Sequence, residues 1–269
     1  MFGERLRQIR LAADFPTVRS FAAACRWHES KVSRIEHGRQ LPSESDLRTW
    51  CWACRAEGQL AELVGMARAV DSMYVEWRRA HAAGLRQTQD SYVPLYERTK
   101  QFRYYQSSLI PGVLQTPEYA RAVLSMVVSF RDLSDDVDDA VAARMARNAI
   151  LREPGRTFAF LIEESVLRAR LADADVMAGQ LGQLLIDMTL PNVSLGVIPL
   201  SADRGRWITE AFTMHGEEMV EAELVSARVR VTQRGEVAQY GAVFAELSKL
   251  AVHGSEARRL VTAAIDALG

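Results

Sequence analysis

The sequence has no run of 18 or more apolar residues, no low-complexity tract, and only three cysteines among its 269 residues. It therefore predicts no transmembrane helix, and its first residues, MFGERLRQIRLAADF, lack the apolar stretch and cleavage site of a signal peptide. An odd number of cysteines without an export signal argues against a disulfide framework. With 48% hydrophobic and 25% charged residues, the composition is that of a globular protein, which we expect in the cytoplasm.

The sequence also lacks the patterns of a catalytic or metal site. The segment Cys51-Trp52-Ala53-Cys54 has no second CxxC and no His pair at ligand spacing, so we interpret the two thiols as core residues, with redox sensing as the alternative. The five histidines are scattered, and Glu163-Glu164 has no evident acid or base partner. We expect no metal, no cofactor and no enzymatic activity.

The charges are unevenly distributed, although the net charge is −1. Residues 1–50 carry nine Lys or Arg against six Asp or Glu, residues 51–110 eight against six, and residues 111–269 sixteen against twenty-two. Such a distribution is expected where only the first part of the chain meets a polyanion.

Short helices are predicted throughout the first part of the chain. Apolar spacing predicts a helix over 3–13, and Thr17 is a good N-cap for a second helix ending near Cys25. A third helix after residues 26–28 would place Val32 and Ile35 inward and end at Gly38. Ser43 begins a fourth helix, and a helical period from Gln59 to Ala83, ended by Gly84, predicts a connector or dimerisation helix.

The rest of the chain combines helices with short strands. Thr116-Pro117 and the acidic run after Ser134 are typical helix starts. Strands are predicted at 157–162, 193–198, 211–215, 219–224 and 229–231, with a helix through Leu181 and two terminal helices over 235–252 and 255–268. We predict a mainly α protein with a smaller α+β part, divided into a helical bundle (1–56), a helical connector (57–90) and an α+β regulatory domain (91–269).

The strongest local pattern is helix, tight turn, helix over residues 17–38. In a helix-turn-helix, the second helix enters the major groove and needs short or forked polar side chains on its exposed face. Ser30, Lys31, Ser33 and Arg34 would be free for bases or phosphates, with Arg39 near the backbone. An ordinary solvated helix face explains the same residues equally well.

Two motifs resemble a known family. SKVSRIEHGRQLP, residues 30–42, resembles the SKxSRIExGxRxP signature of xenobiotic-response-element (lambda-repressor-like) DNA-binding domains. LIPGVLQTPEYA, residues 109–120, is similar to the LVPGLLQTxxYA segment of the larger domain that follows such domains in actinobacterial regulators. The chain thus resembles the Scr-type antitoxin-like regulators, which include the WhiJ-like proteins, over nearly its whole length.

The resemblance implies a lambda-repressor-like bundle that contacts DNA. The candidate contact residues are Thr17, Arg19, Glu29, Ser30, Lys31, Ser33, Arg34 and Arg39. Arg26 fills the usual Gly position of the turn, which requires a left-handed backbone. Glu29 replaces the usual Gln, so it would repel phosphates but could accept a hydrogen bond from cytosine. Glu36 is expected to pair internally with a basic residue such as Arg10.

We therefore predict a sequence-specific transcriptional regulator that binds double-stranded DNA as a homodimer. The resemblance implies a second domain that senses a small-molecule effector or binds a small companion protein. The alternative is an antitoxin-like protein that mainly sequesters such a partner and autoregulates its operon. Five aromatic residues could line an effector pocket, and core packing explains each equally well: Trp77, Tyr104, Tyr105, Trp207 and Phe212.

Overall fold

The structure, a computed structural model, describes residues 2–205, 207 and 210–269, and gives the backbone alone for 68–74 and 78–79. The chain separates into two compact units, Met1–Tyr74 and Val75–Gly269. Among the helices that the structure describes, none is long and apolar enough to cross a membrane.

The first unit is helical, as predicted. Its helices are α1 (Phe2–Ala12), α2 (Val18–Cys25), α3 (Glu29–Glu36), α4 (Glu44–Ala53) and, after a 3-10 turn at Glu57–Gln59, α5 (Leu60–Met73). The predicted caps are confirmed, because Thr17 accepts a hydrogen bond from the backbone of Ser20 and Ser43 forms a reciprocal capping box with Asp46. Local capping thus determines where α2 and α4 begin.

The core of the first unit extends beyond the predicted boundary at residue 56. Trp50 is fully buried at its centre, and its ring lies 4.4 Å from that of Phe21. Leu63 and Ala67 of α5 are buried in the same cluster. The first part of the segment predicted as a connector therefore belongs to the bundle.

The prediction of one helix over 59–83 is wrong beyond Met73. A short strand, β1 (Tyr74–Glu76), and a helical turn, α6 (Trp77–Ala80), follow, and Gly84, with φ +93°, begins α7 (Gly84–Asp90) instead of ending a helix. The physical reason is long-range pairing, since the Trp77 N–H donates to the carbonyl of Ser226 at 3.1 Å. The helical period predicted over 59–83 includes Val70 and Tyr74, whose side chains lie outside the described residues.

The second unit contains a mixed sheet between helices. Its further helices are α8 (Val93–Arg98), α9 (Pro117–Arg131), α10 (Val137–Asn148), α11 (Glu164–Arg168), α12 (Ala174–Asp187), α13 (Arg234–Leu250) and α14 (Gly254–Asp266), with 3-10 turns at Gly112–Leu114 and Ala149–Arg152. Its further strands are β2 (Gln101–Gln106), β3 (Thr157–Glu163), β4 (Val193–Ile198), β5 (Phe212–His215), β6 (Met219–Glu223) and β7 (Ala227–Val231).

The strands lie in the order β1-β7-β6-β5-β2-β3-β4. β2, β3 and β4 are parallel, whereas β5 pairs antiparallel with β2 and continues antiparallel to β6 and β7. The strands and terminal helices predicted from the sequence are confirmed within two residues at each end. β2, an interior strand between β5 and β3, lies in the aromatic-rich stretch for which we predicted no strand.

Both faces of the sheet are covered by helices. On one face, parallel pairing stacks Phe102 on Phe158 and Tyr104 on Phe160, each pair with ring centroids 4.9 Å apart, and α12 and α14 pack against this cluster. The opposite face packs against α13. A strand buried on both sides shows little alternation of polar and apolar residues, which explains why β2 was missed.

Candidate nucleic-acid interface

The turn between α2 and α3 has the geometry predicted from Arg26. Arg26 is left-handed, with φ 55° and ψ 42°, and its N–H donates to the carbonyls of Ala22 and Ala23. Nδ1 of His28 then accepts a hydrogen bond from the backbone N–H of Ser30, at 3.3 Å, and caps α3. A left-handed C-cap at Arg26 and an N-cap at His28 thus form the turn between the two helices within three residues.

α3 is held to the bundle along one face. Val32 and Ile35 are fully buried, and Glu36, at the end of the helix, receives two hydrogen bonds from Arg10 of α1. This confirms the predicted pairing of Glu36. Gly3 of α1 lies so close that a Cβ atom would be 2.4 Å from the Glu36 carbonyl oxygen. The buried contacts fix the orientation of α3 and determine which face remains exposed.

The face of α3 opposite the buried residues carries polar side chains. Ser30 and Arg34 are exposed and Ser33 is half-buried. Nε of Arg34 donates to Oε1 of Gln40 at 3.0 Å, a contact that leaves the rest of its guanidinium in solvent. Arg39, just after the helix, is also exposed. Such a face has the donor and acceptor types that can contact bases and phosphates.

The start of α2 lies beside the start of α3. Arg19 and Glu29 are exposed, and Nε of Arg19 is 3.6 Å from Oε1 of Glu29. Thr17, the N-cap of α2, is exposed as well. The Arg19–Glu29 contact places a carboxylate against a cation that could otherwise bind a phosphate, so Glu29 moderates the positive charge of this surface.

Lys31 is placed differently from the other candidates. Its ammonium lies 2.6 Å from Oδ1 of Asp46 on α4 and 4.3 Å from the centre of the Trp27 ring. Burial opposes ionisation of Asp46, but hydrogen bonds from Lys31 and Ser43 outweigh it and lower the pKa of the Asp46 carboxyl. Lys31 therefore joins α3 to α4, whereas the sequence predicted that its side chain would be free for bases or phosphates.

Two histidines on this surface, His28 and His37, were not among the predicted contact residues. His28 caps α3, and Nδ1 of His37 lies 2.7 Å from the carbonyl oxygen of Ser33. Both side chains are exposed. The spacing of four residues between Ser33 and His37 is the signal that could have identified the second of them.

The three cysteines are free thiols buried in the core of the first unit. Burial raises the pKa of Cys25 to about 11 and that of Cys54 to about 12. A thiol must ionise to react, so these groups are unsuited to redox sensing. Among the described residues, no group of three or more His, Cys, Asp or Glu side chains is placed to hold a metal ion.

Three of the five aromatic candidates for an effector pocket meet in the second unit. Trp77, Tyr104 and Phe212 line a cavity of about 280 Å³. Tyr105 packs instead in the cluster on the opposite face of the sheet. Trp207 is 83% exposed. The sequence thus identified part of a cavity wall but could not distinguish it from ordinary core residues.

Comparison with known proteins relates both units to protein families. Residues 1–64 match a model described as a helix-turn-helix domain, which supports a DNA-binding regulator. Residues 89–263 match a model described as a domain of unknown function, DUF5753. No curated protein matches the chain. A solved structure of the archaeal chromatin protein TrmBL2, described as showing a novel mode of DNA binding, is similar at TM-score 0.32 and 11% identity over 78% of this chain and 70% of that chain, which is too distant to carry an argument.

Proposed function

The chain belongs to the DUF5753 family, and we propose that it is a sequence-specific transcriptional regulator of the xenobiotic-response-element type. The observation that carries this proposal is that α3 has one face buried against the bundle and an opposite face of exposed polar side chains. Val32 and Ile35 fix the helix to the bundle, while Ser30 and Arg34 remain exposed after a tight turn. In helix-turn-helix proteins, a helix held in this way lies in the major groove.

In this proposal, affinity and specificity come from different residues. Arg19 and Arg39 contact phosphates, whereas Ser30, Ser33 and Arg34 contact base edges. The protein acts as a homodimer, because two recognition helices about 34 Å apart then meet successive major grooves on one side of the duplex. Sedimentation of the protein with a duplex carrying two half-sites measures this state, and a complex with one protomer would contradict it.

The second unit has the sensing role in this proposal, without a catalytic step. A small-molecule effector is favoured over an antitoxin-like partner, because Trp77, Tyr104 and Phe212 line a cavity of ligand size. An antitoxin-like protein would instead bind a companion protein on its surface. Co-purification of a short protein with the chain, without any effect of small molecules on DNA binding, would support that alternative.

The test is a selection of random duplexes with the full-length protein at low and physiological salt. The variant combines Ser30→Ala with Arg34→Ala, and the matched control is Arg48→Ala, which removes an exposed arginine of α4. Lys31 is left intact because its loss would disturb the contact with Asp46. We expect one enriched motif for the wild type and the control, and a relaxed motif for the double variant. If the wild type enriches no motif and its binding disappears at physiological salt, the proposal fails.

A further inference from the structure

The cavity of the second unit has a cationic side. Arg131, Arg144 and Arg147 line it, and within the described part of the chain their hydrogen bonds go to uncharged oxygens. Arg144 donates to the neutral side-chain oxygens of Gln89, at 3.1 Å, and Gln115, at 2.5 Å. Arginines withdrawn from water are ordinarily hydrogen-bonded to anions, and the described contacts of these three half-buried arginines include no such bond.

Arg147 lies one helical turn after Arg144 on α10. Its Nη1 donates to the backbone oxygen of Gln89 at 3.2 Å, and its guanidinium carbon lies 5.1 Å and 5.0 Å from the ring centres of Tyr92 and Tyr96. Its buried Nε atom has no hydrogen-bond partner among the described residues. Two guanidiniums on one helix, one of them with an unused donor, have the charge and the hydrogen-bond donors that an oxyanion requires.

A second orphaned atom belongs to the same cavity. His81 is 7% exposed, and its Nδ1 has no hydrogen-bond partner within the part of the chain that the structure describes. Burial lowers the pKa of His81, and the charges of Arg131 and Arg228 lower it further. A neutral imidazole with one unused nitrogen can donate a hydrogen bond to a bound ligand.

The two carboxylates that line the cavity form no hydrogen bond with Arg131, Arg144 or Arg147 among the described residues. Glu221 is engaged by Arg230, at 2.7 Å, and by Nε2 of His215, at 3.1 Å. Desolvation raises the pKa of the Glu223 carboxyl, whereas the charges of Arg144, Arg228 and Arg131 act in the opposite direction. Burial, and after it the charge of Arg147, lowers the pKa of Arg144 to about 10, although the charge of Glu223 opposes this shift.

The opposite side of the cavity is apolar. Leu85 of α7 and the residues Val123, Leu124 and Val127 of α9 line it. Small-molecule sites typically combine such a wall with a few polar groups that fix the orientation of the ligand. The cavity can therefore hold a molecule with a charged end and an apolar body.

We propose that this cavity binds a small organic anion, a carboxylate or phosphate ester with an apolar body. Its oxyanion lies between Arg144 and Arg147, and its body lies against Leu85 and Leu124. The inference names the ligand class for the sensing role proposed above and rests on that proposal only for its regulatory consequence.

The test is calorimetric titration of the full-length protein without DNA. The probes are benzoate and phenyl phosphate, which distinguish a carboxylate from a phosphate, inorganic phosphate, which lacks the apolar body, and benzyl alcohol, which lacks the charge. We expect at least one aromatic anion to bind more tightly than inorganic phosphate and benzyl alcohol, by about tenfold or more. Equal binding of benzyl alcohol, or no binding of either aromatic anion up to about 10 mM, would overturn the inference.

Two variants locate the site. Arg144→Gln should weaken the preferred anion by roughly ten- to a hundredfold, because it removes a charged donor. Arg259→Gln removes an exposed arginine of α14 and should leave the affinity unchanged. Unchanged affinity in a folded Arg144→Gln protein would overturn the inference. If that variant does not fold, the comparison of the four probes on the wild-type protein tests the inference instead. The titration contains no DNA, so it is independent of the duplex selection. If no anion binds but the selection enriches a motif, the proposed DNA-binding function stands and this inference fails. If an anion binds but no motif is enriched, only the DNA-binding function fails.

Discussion

Arg10 and Glu36 form a bidentate ion pair in the core of the first unit. Nε of Arg10 lies 2.5 Å from Oε1 of Glu36, and Nη2 lies 3.0 Å from Oε2. Both side chains are 3% exposed. The pair joins α1 to the end of α3, so the position of the proposed recognition helix depends on a buried charge contact outside the proposed DNA-binding face.

Replacing one member of this pair should destabilise the protein strongly. We expect Arg10→Met to lower the free energy of unfolding of the first unit by about 3–5 kcal/mol, because it leaves the Glu36 carboxylate buried without a partner. Arg10→Met with Glu36→Leu should recover most of this loss. Urea unfolding measures both, and Arg7→Met, at a surface pair with Glu4, is the control with an expected change below about 1 kcal/mol. Equal effects of Arg10→Met and Arg7→Met would contradict the buried role.

A methyl group at Gly3 should displace α1 from α3. The added Cβ would lie 2.4 Å from the Glu36 carbonyl oxygen and 2.6 Å from that of Ile35, and both atoms belong to backbone that cannot rotate away. We expect Gly3→Ala to destabilise the first unit by about 1–3 kcal/mol, as overpacking does. Gly58→Ala, where nothing lies within 4 Å, is the matched control. A melting temperature of Gly3→Ala equal to that of the control would show that the helices separate without cost.

Removing the charge of Glu29 should strengthen binding to DNA. Glu29→Gln eliminates a phosphate-repelling carboxylate and releases Arg19, which lies 3.6 Å away. We expect affinity for duplex DNA to rise several-fold at low salt, with a smaller gain at high salt because screening weakens both effects. Fluorescence anisotropy measures this, with Glu4→Gln, an exposed glutamate on α1 paired with Arg7, as the control. Equal affinities of the two variants would exclude Glu29 from the interface.

The features predicted correctly from the sequence are those that a few neighbouring residues determine. Thr17 and Ser43 begin helices because their side chains cap the following turn, and Arg26 is left-handed because two helices must meet within three residues. Even the Arg10–Glu36 pair was predictable, since a buried carboxylate on α3 needs a cation. These inferences located the candidate surface on α3.

Long-range contacts account for the errors. The helical period over 59–83 was broken because residues near Trp77 pair with β7, a segment about 150 residues later. Lys31 was predicted to be free for bases or phosphates, yet its ammonium lies 2.6 Å from Oδ1 of Asp46 on α4. Trp77, Tyr104 and Phe212 reach one cavity from three separate elements. A local sequence pattern contains no information about contacts between residues that are distant in the sequence.

The cysteines should be inert in the folded protein. With a pKa of about 11 for Cys25 and about 12 for Cys54, the thiolate fraction at pH 8 is about one in a thousand or less, and burial blocks access. We expect negligible reaction with Ellman's reagent under native conditions and reaction of all three thiols in denaturant. Rapid reaction of one equivalent in the native protein would instead restore the redox-sensing hypothesis.

Stability in acid should depend on Glu221 of β6. Burial alone would raise the pKa of this carboxyl, but the hydrogen bond and charge of His215, with Arg230 and Arg228, lower it from 4.5 to about 2. A group whose pKa is lower in the folded state stabilises it above the unfolded pKa, and this contribution is lost as the pH falls from about 4.5 to about 2. Glu221→Gln should therefore destabilise the second unit by on the order of 3 kcal/mol at neutral pH, with a difference from wild type that shrinks in acid. Urea unfolding from about pH 7 to about pH 3 measures this, with Glu256→Gln, at an exposed glutamate of α14, as the control. A constant difference at every pH would mean that Glu221 contributes through packing, and not through the charge that His215 and the two arginines stabilise.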